Sequence, residues 1–279
     1  MKKPKNIANI LLAVVFFVGL AVLLYPTISD YVNERHQSHA IATYNEAVAQ
    51  VKPEDYSAYR QAAQAYNAAL TAETANRYVL DDAQLAQYNS LLDVGGTGMM
   101  GYIEIERIGV NLPIYHGVDE AVLQVGAGHI PGSSLPVGGA GTHSVLSGHR
   151  GLPSAKLLTD LDQMQEGDVF LLHVLDEVLA YEVDQIKIVL PEETDDLEIA
   201  DGQDYCTLVT CTPYGVNTHR LLVRGHRVDY TEALRLSVEA DAVQIDPILV
   251  APVLAVPVLI LFLLVLVFAP GGKKKKKGR

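Results

Sequence analysis

Cysteine is almost missing from this chain: 279 residues hold two, Cys206 and Cys211. That scarcity excludes a disulfide framework. Their odd separation along one extended run points them to opposite faces of a strand, so they are not placed to bond each other. Basic side chains are scarce in the body. Nine of the 21 Lys and Arg sit at the two ends and all 33 acidic residues lie between, which leaves residues 26–246 with 12 basic against 33 acidic side chains, a balance of −21. A body of that sign excludes nucleic acid as a partner. Acidic residues at metal-ligand spacing are lacking too. Glu192, Glu193, Asp195 and Asp196 read as a solvated loop rather than a calcium site, and no metal or cofactor is expected.

Long apolar runs are present, one near each end. Residues 7–25 can cross a bilayer, follow Lys2, Lys3 and Lys5, and show no small-residue cleavage pattern before Tyr25-Pro26. An uncleaved anchor is therefore expected, with a cleaved signal peptide as the alternative. Residues 247–269 form a second candidate span with Pro252 and Pro257 in its outer half, followed by Lys273 to Lys277 and Arg279. Both basic ends belong on the cytoplasmic side, which puts residues 26–246 outside the cell. The lysine tail reads as topogenic charge, contact with anionic lipid being the alternative.

The pattern between the spans divides the chain. Residues 1–27 form a basic end and an anchor, 28–100 a helical region with a possible lid or linker, and 101–230 a β domain. A juxtamembrane linker (231–246), a second span (247–270) and a basic tail (271–279) follow. Residues 30–50 and 54–70, rich in Ala, Gln, Glu and Tyr, predict two helices separated by Pro53. Tyr44, Tyr56, Tyr59 and Tyr66 fit an apolar packing stripe better than a ligand box. Residues 71–101 end in GGTGMMG, a flexible entry to the first strand. Short β-type runs then recur at 102–105, 112–115, 142–146, 169–174, 178–189, 205–211 and 221–228. Such punctuation predicts a closed or sandwich-like β domain, long enough to bury its own core.

Two stretches carry candidate chemistry. In TLVTCTPYGVNTHRLLVRGHR (207–227) a β-branched run reaches Cys211, Pro213, Gly215 and Asn217 form a wide turn, and an apolar run resumes after Arg220. A hairpin of that shape makes Cys211 and Arg220 near cross-strand partners, with Cβ atoms about 4.5–5.5 Å apart if directly opposed. A guanidinium that close favours the thiolate, the nucleophilic form of cysteine. The alternative is a small buried hydrophobe beside a solvated strand-end charge. Thr210 and Thr212 flank the thiol and read as ordinary strand-end threonines. In THSVLSGHRGLPSAKLLTDL (142–161) a strand exits into a Gly-containing loop bearing His149, and residues 155–161 read as a helical turn. A loop on a rigid scaffold suits a catalytic base, although eight other histidines compete.

These two blocks, together with GYIEIERIGVNLPIYHG (101–117) and HIPGSSLPVGGAGTHS (129–144), closely resemble the sortases, in particular the class C, pilin-polymerising group. The resemblance implies a closed eight-stranded β-barrel with short loop helices, here preceded by a helical N-terminal region and flanked by two transmembrane helices. It also implies a cysteine transpeptidase. Cys211 would attack the Thr–Gly bond of an LPxTG-type sorting signal, His149 would serve as acid and base, and Arg220 would stabilise the oxyanion or hold the substrate backbone. The acceptor would be an amine, a pilin lysine in pilus assembly. The alternatives are a wall-anchoring sortase using a peptidoglycan cross-bridge amine, and a non-catalytic assembly platform. Class C sortases commonly carry an Asp-Pro-aromatic lid motif, which this chain lacks. Asp81-Asp82 has neither the proline nor the aromatic, so Tyr78 with Asp81 or Asp82 forms either a degenerate lid or a linker.

Overall fold

The structure is a computed structural model that describes residues 5–72, 77–231 and 255–260. Contacts divide the chain into two units, residues 30–242 and the two ends, 1–29 with 243–279. Helix α1 (Lys5–Gln50) continues through Pro26, where the sequence suggested a break between an anchor and a separate helix. Long apolar helices tolerate the one backbone bond that proline forfeits. Among the described residues α1 alone is long and apolar enough to cross a bilayer. Two flanking spans were expected and one is shown. The other, at 247–269, lies outside the described residues except for 255–260, which are helical.

Helix α2 (Pro53–Ala72) begins with proline at its first position, where the missing N–H is not needed. Helix α3 (Asp82–Ser90) falls in the stretch read as a possible lid or linker. It starts with a capping box: the Asp81 carboxylate accepts the Gln84 N–H at 2.8 Å and Gln84 Oε1 accepts the Asp81 N–H at 2.9 Å.

Eight strands follow: β1 (Met99–Ile105), β2 (Val110–His116), β3 (Ala127–His129), β4 (Thr142–Ser147), β5 (Val169–Val174), β6 (Glu177–Val189), β7 (Asp204–Thr212) and β8 (His219–Val228). The four-residue helix α4 (Glu120–Leu123) lies between β2 and β3. The strands close into a barrel in the order β1-β2-β3-β4-β7-β8-β6-β5. The β2–β3 and β4–β7 pairs are parallel and the others antiparallel. Seven strands match runs legible in the sequence, while β3 has only three residues and escaped the pattern. Residues 155–161 form turns instead of the expected helical turn, with a 3-10 turn at Leu161–Gln163.

Alternation sorts the strand residues. Ile103, Ile105, Leu146, Phe170, Leu172, Leu179, Tyr181, Leu208 and Val223 fill the barrel, where Phe170 and Tyr181 stack with centroids 5.5 Å apart. Cys206 is fully buried among them. The helices bind the outer wall through tyrosine and asparagine. The Tyr44 hydroxyl donates to Met100 O at 2.9 Å and accepts the Leu175 N–H at 2.8 Å. Asn67 makes a two-way amide bond with the Leu135 backbone at 3.1 and 2.7 Å. The tyrosine stripe is thus packing, Tyr56, Tyr59 and Tyr66 lying against the main core.

Candidate active site

The parallel register of β4 and β7 runs from Thr142 opposite Asp204 to Ser147 opposite Val209. Both strands therefore deliver their C-terminal ends to one rim of the barrel. His149 stands two residues beyond Ser147, and Cys211 two beyond Val209. The rims are tied together: Gly148 N–H donates to Val209 O at 3.0 Å, and Thr210 Oγ1 donates to Gly148 O at 2.8 Å. That bond gives Thr210 a structural task. Across the hairpin, Cys211 pairs directly with Arg220.

Cys211 and Arg220 share a face as well as a rim. Leu208, Leu221 and Leu146 point into the barrel, whereas Val209, Leu222 and Val145 form a separate outer cluster with Leu197. By the two-residue period of a strand, Cys211 lies on the face of Val209 and Arg220 on that of Leu222. Ile130 and Val189 pack against the same cluster. A small buried cluster on the outer face of β4, β7 and β8 thus lies below a half-buried thiol. Cys206 faces the other way, and burial, reinforced by the Asp204 carboxylate, pushes its thiol well above the ordinary range.

Arg220 differs from its neighbours on β8. Arg224 makes a two-pronged ion pair with Asp184 at 2.9 and 3.1 Å and covers the Tyr205 ring at 4.2 Å. Arg227 lies 3.9 Å from Asp204. Arg220 donates only to backbone carbonyls, Asn217 O at 3.3 Å and His219 O at 3.1 Å, with no carboxylate within ion-pair distance among the described residues. It stands opposite Cys211 on the paired strand without a carboxylate partner.

His149 has a partner that sequence reasoning missed. The Glu120 carboxylate lies 3.4 Å from Nε2. Glu120 is held by Gln124 Nε2 at 3.0 Å, and that bond, followed by the nearby His149 charge, keeps its carboxyl below the usual range. No local pattern in GVDEAVLQ signals this role. The loop after His149 is closed on itself: Leu158 N–H donates to His149 O at 3.1 Å and Gly151 N–H to Thr159 Oγ1 at 3.1 Å. Arg150 pairs with Asp162 and donates to Thr212 Oγ1 at 3.4 Å, which assigns Thr212 to the same frame. Gly148 is needed here, because a Cβ would meet Leu158 Cδ1 at 2.7 Å.

A strap packs beside Leu197, a member of that cluster. Arg77 is buried, donates to Leu197 O at 2.8 Å, approaches Glu198 at 3.7 Å and lies 4.9 Å over the Tyr78 ring. Gly132 sits beneath it, where a Cβ would be 2.0 Å from Arg77 O. Tyr78 is thus part of a docked segment, whereas Asp81 is occupied in capping α3. Among the described residues no cluster of His, Cys, Asp and Glu could hold a metal.

Fold and rim together define a class: a closed β-barrel behind an apolar N-terminal helix, with a thiol, an imidazole and an unpaired guanidinium on one edge. A family model described as the sortase domain matches residues 103–228. The crystal structure of sortase C1 from Streptococcus agalactiae is 49% identical, with a TM-score of 0.66, covering 68% of this chain and 98% of that one. The structure of Clostridium perfringens sortase C with the C-terminal cell wall sorting motif is 46% identical, with a TM-score of 0.60, covering 69% and 99%. Among curated proteins, a sortase A of Streptococcus agalactiae is 30% identical over 130 residues, 46% of this chain and 52% of that protein, so the match spans about half of that relative. The chain belongs to the sortase family, with strong structural matches to class C sortases.

Proposed function

We propose that this chain is a cysteine transpeptidase that cleaves an LPxTG-type sorting signal between Thr and Gly and passes the acyl group to an amine, a pilin lysine in pilus assembly. The observation that carries the reading is the direct pairing of Cys211 with Arg220, the one β8 arginine lacking a carboxylate, on the rim that also bears His149. The Cys211 thiolate attacks the threonine carbonyl carbon, and the oxyanion forms beside the Arg220 guanidinium. His149 gives its proton to the glycine nitrogen as the C–N bond breaks, leaving a thioester on Cys211. The acceptor amine then attacks that thioester, His149 takes the amine proton, and sulfur departs as thiolate.

The buried cluster of Val145, Val209, Leu222 and Leu197 packs β4, β7 and β8 together beneath the rim and so fixes the strand ends that carry the site. Placement of the barrel outside the membrane, behind α1 and a second span at 247–269, agrees with the charge bias of the chain ends. Transfer to a peptidoglycan amine is the second reading, and the missing Asp-Pro-aromatic motif is the observation on its side. The strong similarity to sortase C structures favours the first.

The test is mass spectrometry of the full-length protein, in detergent, with a sorting-signal peptide. A thioester is expected on Cys211 and none in Cys211→Ala; no adduct in either removes the reading. Incubation with an LPxTG-bearing pilin then separates the acceptors, a covalent ladder favouring the pilin lysine and attachment only to a wall peptide favouring the alternative.

A further inference from the structure

Three polar residues of α1 lie on one face at positions i, i+3 and i+7, and each reaches the backbone of a loop beside His149. Asp30 Oδ1 accepts the Lys156 N–H at 2.6 Å. Asn33 Nδ2 donates to Ser154 O at 2.5 Å. Gln37, buried at 7% exposure on an otherwise exposed stretch of helix, donates from Nε2 to Val125 O at 3.2 Å. Ser154 and Lys156 belong to the loop that leaves His149 and returns at Leu158, whose N–H holds the His149 carbonyl. Val125 lies two residues beyond the short helix bearing Glu120, the carboxylate that faces His149 Nε2.

We propose that Asp30, Asn33 and Gln37 are positioning residues that hold the two loops bracketing His149, so that α1 acts as a template for the His149–Glu120 pair. The barrel itself fixes Cys211 and Arg220 through strand pairing. His149 lies beyond the end of β4, and Glu120 projects from a helix of four residues. These are the members of the site that strand hydrogen bonds do not hold. Side chains that bind backbone atoms register a loop whatever its own side chains, and catalysis is sensitive to displacement of the proton-transfer group by about 1 Å. The far turn of the His149 loop gains from α1 the two hydrogen bonds at Ser154 and Lys156.

The proposal rests on the transpeptidase reading only for its catalytic readout. The experiment compares full-length wild-type protein with the triple variant Asp30→Ala, Asn33→Ala, Gln37→Ala and with Asp30→Asn, which keeps an oxygen acceptor. Backbone hydrogen exchange in 150–158 and 118–126 should rise in the triple variant by about ten-fold, with β5 and β6 unchanged. In peptide transfer kcat should fall by about ten-fold while KM stays within about two-fold, and Asp30→Asn should remain near wild type. If the triple variant misfolds, Asn33→Ala alone is read in the same way. Unchanged exchange in both loops, or loosened loops with wild-type kcat, overturns the proposal. An inactive wild type whose loops loosen on mutation counts against the transpeptidase reading and for the positioning of the loops.

Discussion

The Glu120 carboxylate stands 3.4 Å from His149 Nε2, steadied from behind by Gln124 at 3.0 Å. The carboxyl is kept below its usual range, so it is ionised at neutral pH and faces the imidazole as a charge. It is also exposed, and exposed pairs contribute little. Glu120→Gln should therefore lower turnover modestly, by about two- to five-fold, with KM unchanged and a larger loss at low ionic strength. Turnover measured at two salt concentrations checks this. A variant indistinguishable from wild type at low salt would make Glu120 a spectator.

The three arginines of β8 should separate cleanly. Arg220→Ala removes a guanidinium committed only to backbone carbonyls, on the residue paired with Cys211, and turnover should fall by on the order of 10² to 10³. Arg224→Ala instead leaves Asp184 without its two-pronged partner and uncovers Tyr205. It should lower the melting temperature while activity per folded molecule stays close to wild type. Arg227→Ala should resemble Arg224→Ala. Equal losses of turnover in all three would contradict the singular place of Arg220 opposite Cys211.

The same hairpin shows what local pattern can reveal. A β-branched run, a Pro-Gly-Asn turn and a second apolar run suffice to pair Cys211 with Arg220, because register follows from alternation and loop length. The three-residue β3 has no such signal, since it exists only through its pairing with β2 and β4. Helix α3 does carry a signal, the Asp81/Gln84 capping box, but its nine residues are short and polar enough to read as a lid or linker. The anchor at 7–25 and the helix expected over 30–50 are one helix, because a long helix absorbs a proline such as Pro26. The contacts of Asp30 and Asn33 span 126 and 121 residues and bind backbone atoms, which leave no trace in residue type.

The two thiols should react as their strand parity dictates. Cys211 is half-buried on the outer face, and Cys206 is enclosed in the barrel with its thiol pushed well above the ordinary range. Iodoacetamide should therefore label native protein once, at Cys211, and reach Cys206 only after denaturation. Peptide mapping of labelled protein provides the check. Label on Cys206 in the folded state would mean that the barrel opens at that strand.

Two histidines outside the site set an acid limit on stability. His129 is fully buried. Its Nε2–H donates to Ser134 O at 2.8 Å, and Nδ1 faces the Tyr88 hydroxyl at 2.9 Å. His143 donates from Nδ1 to Glu198 O at 2.8 Å and accepts from Thr207 Oγ1 at 2.7 Å. Each ring thus uses one N–H and one lone pair, the inventory of a neutral imidazole. Burial lowers both from the ordinary 6.5 to about 4. Between those values the unfolded chain binds protons that the native protein refuses, so stability is full above pH 6.5 and is lost as pH falls toward 4. The slope is about 1.4 kcal/mol per pH unit for each histidine once well below pH 6.5, and each releases close to one proton on folding. Urea unfolding at pH 7.5, 6 and 5 should give that falling curve before most carboxylates titrate. His143→Gln, an amide that can both donate and accept, should halve the slope. A flat curve in the wild type would mean that neither ring is held neutral in the native barrel.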